Sequence, residues 1–284
     1  MTAIERARPV PWTRQKGLSV RAQLQTALAL IQRDLAVLFQ NFFGFVVRTA
    51  TQPALFAFVF AYVFPRIGQG IGGNGRGGGL FANVLLPGLM ASTLIFQGIQ
   101  SVALPLVQEF SFSREIEDRV MAPVPVAVVA LCKVISGAIQ GVFAAVLVIP
   151  IVWIATGRAV SINFGNPITL VTMVVLGSLV GASLGLLLGT VVEPRQINLV
   201  FALLVLPLTL LGCVYYPWST LHALRWLQIA VLFNPVVYMS EGLRSSLAPQ
   251  VNHLSLWAVY ALLLGALTAM SFFGVRGFRK RVIT

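Results

Sequence analysis

The chain has 284 residues, 57% of them hydrophobic and only 10% charged, with a mean hydropathy of +0.88. Soluble globular proteins carry about a quarter charged residues, so this composition excludes a soluble enzyme or binding module and indicates a membrane protein. The net charge of +12 does not indicate nucleic acid, because the basic residues sit beside long apolar runs, where topology and anionic lipid account for them.

Residues 1–17 carry Arg6, Arg8, Arg14 and Lys16 among prolines and read as a flexible cytoplasmic tail without a cleavable signal peptide. Over residues 18–40 apolar side chains recur at Val20, Leu24, Leu28, Ile31, Leu35 and Leu38, with Arg21, Gln25, Gln32 and Arg33 off that face. The spacing predicts an amphipathic helix lying in the membrane interface, with little soluble protein to pack on. A first span is expected over 42–64, with Arg48 near its start reaching back to the interface. Gly68 to Gly79 reads as a flexible external loop. It lacks the Gly-Lys-Ser/Thr ending of a phosphate-binding loop, and no Gly-Lys dipeptide occurs in the chain.

The second span, 80–107, contains Pro87 and Pro105, which are expected to kink or end it. The stretch 109–125 follows, EFSFSREIEDRVMAPVP, holding four of the eight acidic residues. Charges concentrated between two spans need water or a protein partner, since lipid burial costs several kcal/mol each. A third span is expected over 126–153 and a fourth over 167–192. The latter carries Gly177, Gly181, Gly185 and Gly189, a bare stripe at i, i+4 that lets another helix approach closely. Ordinary packing within one subunit accounts for that stripe better than a sliding or subunit interface. After a fifth span, 197–216, the segment 217–250 is apolar in patches but broken by polar residues. It reads as two short helices that enter the outer leaflet and return. The last span covers 254–275 and ends in Arg276, Arg279, Lys280 and Arg281.

The expected fold is thus an all-α polytopic membrane protein. Six transmembrane helices over residues 41–284 follow the N-terminal amphipathic interfacial helix, with a short outer re-entrant hairpin before the last span. With both termini cytoplasmic, fifteen of the 20 Lys and Arg residues fall on the inner side, as the positive-inside rule requires.

No catalytic constellation is present. HExxH, GxSxG and CxxC are absent, Cys132 and Cys213 lie inside apolar runs, and His222 and His253 stand alone. Ionisable residues, the mark of proton or ion paths, are nearly absent from the middle of the spans. The chain is expected to be a transport subunit rather than an enzyme, with its energy supplied by a partner.

The run from Leu86, LPGLMASTLIFQGIQ, leading into FSREIEDRVMAPVP resembles the membrane subunit of type-2 ABC exporters, the daunorubicin-resistance, nodulation and polysaccharide export permeases. Arg114, Glu115, Glu117, Val120 and Pro123 match the family's charged cytoplasmic segment, while Ile116 and Asp118 depart from its usual Gly-Thr wording. The run NPVVYMSEGLR supplies Asn234, Pro235, Tyr238, Glu241 and Arg244, similar to the family's second signature before the last span. The resemblance covers nearly the whole chain. It implies a permease of a bacterial plasma (inner) membrane that exports a hydrophobic or amphipathic drug or lipid. A second permease subunit and separate ATP-binding cassette ATPase subunits would be its partners. It implies no cofactor in this chain, since ATP and Mg would be bound by the ATPase.

The resemblance makes Arg114, Glu115, Glu117, Asp118 and Arg119 the ATPase-coupling group; the plain alternative is a solvated loop. Glu241 and Arg244, at i, i+3, suit an ion pair that orients the outer hairpin rather than a substrate contact. Tyr215, Tyr216, Trp218 and Trp226 could line an exit, although an interfacial aromatic belt accounts for them as well. Export of a lipid-linked glycan by the same mechanism, an intramembrane enzyme, and a channel or scaffold without an ATPase are the competing readings.

Overall fold

The computed structural model describes residues 20–64, 67, 78–110, 125–155, 165–193 and 196–283. Helix α1 spans Val20–Gln40 and α2 Phe42–Ala57, the latter widening into a π-helical stretch, Phe58–Val63. Then come α3, Gly78–Gln108; α4, Val126–Ala155; α5, Pro167–Val191; and α6, Ile197–Leu210. A 3₁₀ turn, Trp218–Ala223, leads to α7, Arg225–Ala230, a further 3₁₀ turn, Val231–Phe233, then α8, Pro235–Leu247, and α9, Leu256–Ile283. Five of these helices are long and apolar enough to cross a membrane, over Phe42–Phe60, Val84–Gln108, Val126–Ala155, Pro167–Val191 and Leu256–Arg281. The segment expected as a fifth span is helical for only 14 residues, about 21 Å at 1.5 Å per residue, short of the ~30 Å of hydrocarbon. It stops at Leu210, and Cys213, three residues on, takes a left-handed conformation, φ 52°, through which an α-helix cannot resume.

Helices α3 and α5 form the centre. An apolar cluster that includes Leu89, Leu94, Ile95, Met173, Val180 and Met239 packs where α3, α5 and α8 meet. The glycine stripe of α5 faces α3. A Cβ on Gly181 would stand 2.6 Å from the Leu94 carbonyl oxygen, and one on Gly185 2.4 Å from that of Gly98. Gly98 returns the contact, since a Cβ there would lie 2.2 Å from the Gly181 carbonyl carbon. These helices touch backbone to backbone, which only hydrogen side chains permit. The stripe is therefore packing within one subunit.

Pro87 and Pro105 lie inside continuous helix and end nothing; buried among neighbouring helices, the span stays helical through both prolines. Helix α1 has a divided apolar face. Leu35 and Leu38 pack with Phe45, Ala144 and Leu147, so part of its apolar face docks on α2 and α4, while Leu24 and Leu28 stay exposed.

Candidate functional site

Helix α8 begins with Asn234-Pro235. The Asn234 Oδ1 accepts the Val236 N–H at 3.0 Å as an N-cap, and Pro235 stands at the first helical position, where its missing N–H costs nothing. The same asparagine turns its Nδ2 to the Leu208 carbonyl, 2.7 Å away. That carbonyl belongs to the last turn of α6, whose final C=O groups have no helical partner. Further side chains of α8 serve the chain just beyond. Ser240 Oγ donates to the Gly212 carbonyl at 2.9 Å, and Arg244 Nη2 to the Cys213 carbonyl at 2.9 Å.

Glu241 and Arg244, each 0% exposed, form an ion pair through Oε1 and Nη1. The carboxylate also accepts the Trp218 N–H at 2.9 Å on Oε1 and the Leu254 N–H at 3.1 Å on Oε2. One pair of side chains therefore ties together the end of α6, the start of the hairpin and the entry to α9. Tyr238 adds a bond from its hydroxyl to the Leu232 carbonyl at 2.7 Å. The motif is a fastening of the backbone, and it is fully enclosed.

Three of the four expected exit aromatics are half-buried. Tyr215 lies against Phe56 and Phe60 of α2, with ring centroids 5.3 and 5.4 Å apart. Tyr216 donates to the Leu210 carbonyl at 3.2 Å, and Trp218 Nε1 to the Gln228 carbonyl at 3.1 Å. Trp226 is 70% exposed.

The fastened turn meets α3 at Gly88, and about 20 residues on, roughly 30 Å along the axis, a second charged group is enclosed. Lys133 of α4 reaches Glu109, just past α3, at 2.7 Å and Asp34 of α1 at 3.6 Å. These three side chains join α1 and α4 to the end of α3. Nearby, Arg281 of α9 donates from Nη1 to the carbonyls of Gly189 and Val192, both at 3.0 Å, and its guanidinium lies 5.0 Å from the Phe110 ring. A cation on the last carbonyls of α5 complements that helix's negative end.

Beside Lys133 lies a cavity of about 580 Å³ walled by α1, α2, α3 and α4. Arg48 and Gln100 are shared with a smaller cavity that adds Thr49, Gln52 and Gln97. Among the described residues no group of His, Cys, Asp and Glu could hold a metal ion.

The expected coupling residues Arg114, Glu115, Glu117, Asp118 and Arg119 lie outside the described residues. Asn234, Pro235, Tyr238, Glu241 and Arg244 are brought together as one buried fastening. The Asp34–Lys133–Glu109 group and the polar cavity were missed in the sequence. A signal existed: Lys133 is a lone cation inside a 30-residue apolar helix, and such a residue marks a site by default.

Residues 25–248 match the model of the ABC-2 type transporter family. Over 199 residues, 70% of this chain and 75% of the relative, the chain is 31% identical to the inner membrane transport permease YadH of Escherichia coli K12. The same identity and coverage hold for YadH of Escherichia coli O157:H7 and of Shigella flexneri. With that match spanning most of the sequence, and with apolar helices of membrane-crossing length beneath it, the chain belongs to the ABC-2 type transporter family as a multi-pass membrane permease subunit.

Proposed function

We propose that this permease exports a hydrophobic or amphipathic substrate, a drug or lipid, outward across a bacterial plasma membrane. Two permease subunits would work with two separately encoded ATP-binding subunits. Both termini and the segment 109–125 face the cytoplasm in this reading, and α6 together with the turn after it serves as the sixth crossing. Arg114, Glu115, Glu117, Asp118 and Arg119 rest on the ATPase, and Asn234 to Arg244 hold the outer hairpin.

The observation that carries the reading is the Asp34–Lys133–Glu109 group at the roots of the charged segment. Movement imposed on that segment reaches α3 and α4 directly, through the chain. It reaches α1 through Lys133. A push from a partner therefore acts on three helices at once. An ATP-driven change in the partner shifts the equilibrium of the spans only through contacts that differ between its states.

The test is a mild-detergent pull-down of the tagged chain from its native membrane, followed by an ATPase assay and vesicle transport. A stoichiometric ATP-binding subunit, lost in the Glu117→Ala, Arg119→Ala double variant, supports the reading. A chain that purifies without any ATPase indicates a channel or scaffold instead.

A further inference from the structure

We infer that the cavity between α1, α2, α3 and α4 binds the anionic headgroup of an amphipath, with Arg48 as its counter-ion. The inference goes beyond the transport reading and rests on the geometry of the cavity. Lys133 is already met by Glu109 at 2.7 Å and Asp34 at 3.6 Å, so its charge is offset within the wall. Arg48, which lines both the large and the small cavity, has no ion-pair partner among the described residues. It sits six residues past the start of α2, about 9 Å along the helix axis, and is solvent-accessible at the mouth of the cavity.

Two buried side chains, Ser136 in the large cavity and Gln97 in the small one that adjoins it at Arg48 and Gln100, have unmet bonding capacity. Gln97 is 3% exposed and Ser136 2% exposed. Gln97 Oε1 takes the Thr49 hydroxyl at 3.4 Å, whereas its Nε2 has no partner, nor does Ser136 Oγ. With Oε1 assigned as the acceptor of the Thr49 hydroxyl, the Gln97 atom left over is the donor Nε2. Buried polar atoms are almost always satisfied, so an unmet donor facing a cavity marks a missing acceptor.

A guanidinium, an amide N–H and a hydroxyl make a donor-rich set, and its complement is an anionic oxygen such as that of a phosphate or carboxylate. The two carboxylates in the wall are both engaged by Lys133, so the set does not suit a cation. Among the other lining residues, Val37, Leu38 and Phe45 form an apolar strip beside the polar Asn41, Gln100 and Gln140, and that strip gives an attached hydrocarbon chain a surface to follow. The ligand class is therefore an anionic amphipath. It could be a cargo molecule or a resident bilayer lipid, and the two share the same headgroup chemistry.

The experiment is native mass spectrometry of the delipidated full chain in detergent, titrated with dioleoyl-phosphatidylglycerol and, separately, with dioleoyl-phosphatidylcholine. The anionic lipid should bind about tenfold more tightly, the effect of one charge-assisted hydrogen bond, and Arg48→Gln should abolish that preference. Arg48→Lys should keep most of it, and Gln97→Leu should weaken it several-fold. Thermal unfolding of each variant should match that of the unmodified chain, which separates lost binding from lost folding. Equal affinity for the two lipids, or an undiminished preference in Arg48→Gln, overturns the inference. Fluorescent phosphatidylglycerol in proteoliposomes containing the chain and its co-purified ATPase then assigns the source. ATP-dependent movement makes the ligand cargo, and binding without movement makes it a resident lipid; either supports the site. If no ATPase co-purifies, the transport reading fails while the binding titration still decides this one.

Discussion

Replacing Glu241 with Ala removes the only counter-ion that the enclosed Arg244 has among the described residues, together with the acceptor of the Trp218 and Leu254 N–H groups. Breaking a buried ion pair from one side costs about 3–5 kcal/mol, because the remaining charge stays buried and uncompensated. Each orphaned N–H adds about 1–3 kcal/mol, though the contributions overlap. We expect a net loss of about 5 kcal/mol, a large share of a typical stability of ~5–15 kcal/mol. Glu241→Gln, which keeps an acceptor oxygen, should lose about 3 kcal/mol, the lower end of that range. The assay is unfolding of the full chain in mixed micelles by titration with sodium dodecyl sulfate, alongside protease cleavage within residues 217–254. The double variant Glu241→Leu, Arg244→Met removes both charges and should be more stable than Glu241→Ala alone. A coupling of at least about 2 kcal/mol in the double-mutant cycle is expected. Additive losses, or single variants that unfold like the unmodified chain, refute the fastening described for the hairpin.

Asn234→Ala should cost about 1–2 kcal/mol for the lost cap, plus a further loss from the freed Leu208 carbonyl, read by the same unfolding titration. Lys133→Met removes the cation shared by Glu109 and Asp34, and should cost about 3 kcal/mol and loosen α1, seen as faster hydrogen exchange over residues 20–40. Gly98→Ala should destabilise by about 1–3 kcal/mol or more, because its Cβ meets the Gly181 backbone. Gly44→Ala, whose Cβ meets nothing within 4 Å, is the matched control and should be near neutral in thermal unfolding. Glu117→Ala with Arg119→Ala should abolish ATP-dependent transport while membrane insertion, followed by fractionation, stays intact.

Much of the fold could be read from the residues. Runs of about 20 apolar residues can do little but form helices in lipid, where every backbone polar group needs an internal partner. That argument placed α2, α3, α4, α5 and α9 before any geometry was known. Over 197–216 the hydropathy continues past Leu210 but the helix does not. The helix ends because Asn234, Ser240 and Arg244 engage its last carbonyls and those of the following turn, a tertiary event that no local pattern records. The prolines do not end their helix, since Pro87, buried, and Pro105, half-buried, both sit inside it. The pairing of Glu241 with Arg244 was legible from i, i+3 spacing, but its two further bonds to Trp218 and Leu254 were not. Lys133 was visible as a cation and counted only toward topology. Its partners lie 24 and 99 positions earlier in the chain, and sequence separation hid the group.

The seam between α3 and α5 also limits how this protein can change shape. Where backbones touch without intervening side chains, there is no rotamer to flip and no cushion to compress, so the two helices are bound to travel as a single slab. Helices α2 and α9 bury far less of their surface and can pivot against that slab at lower cost. In the transport cycle proposed above, the moving parts would lie at the periphery, with the glycine-lined centre as their fulcrum. A disulfide placed across the seam would leave turnover untouched, whereas one that pinned α2 to α3 would arrest it.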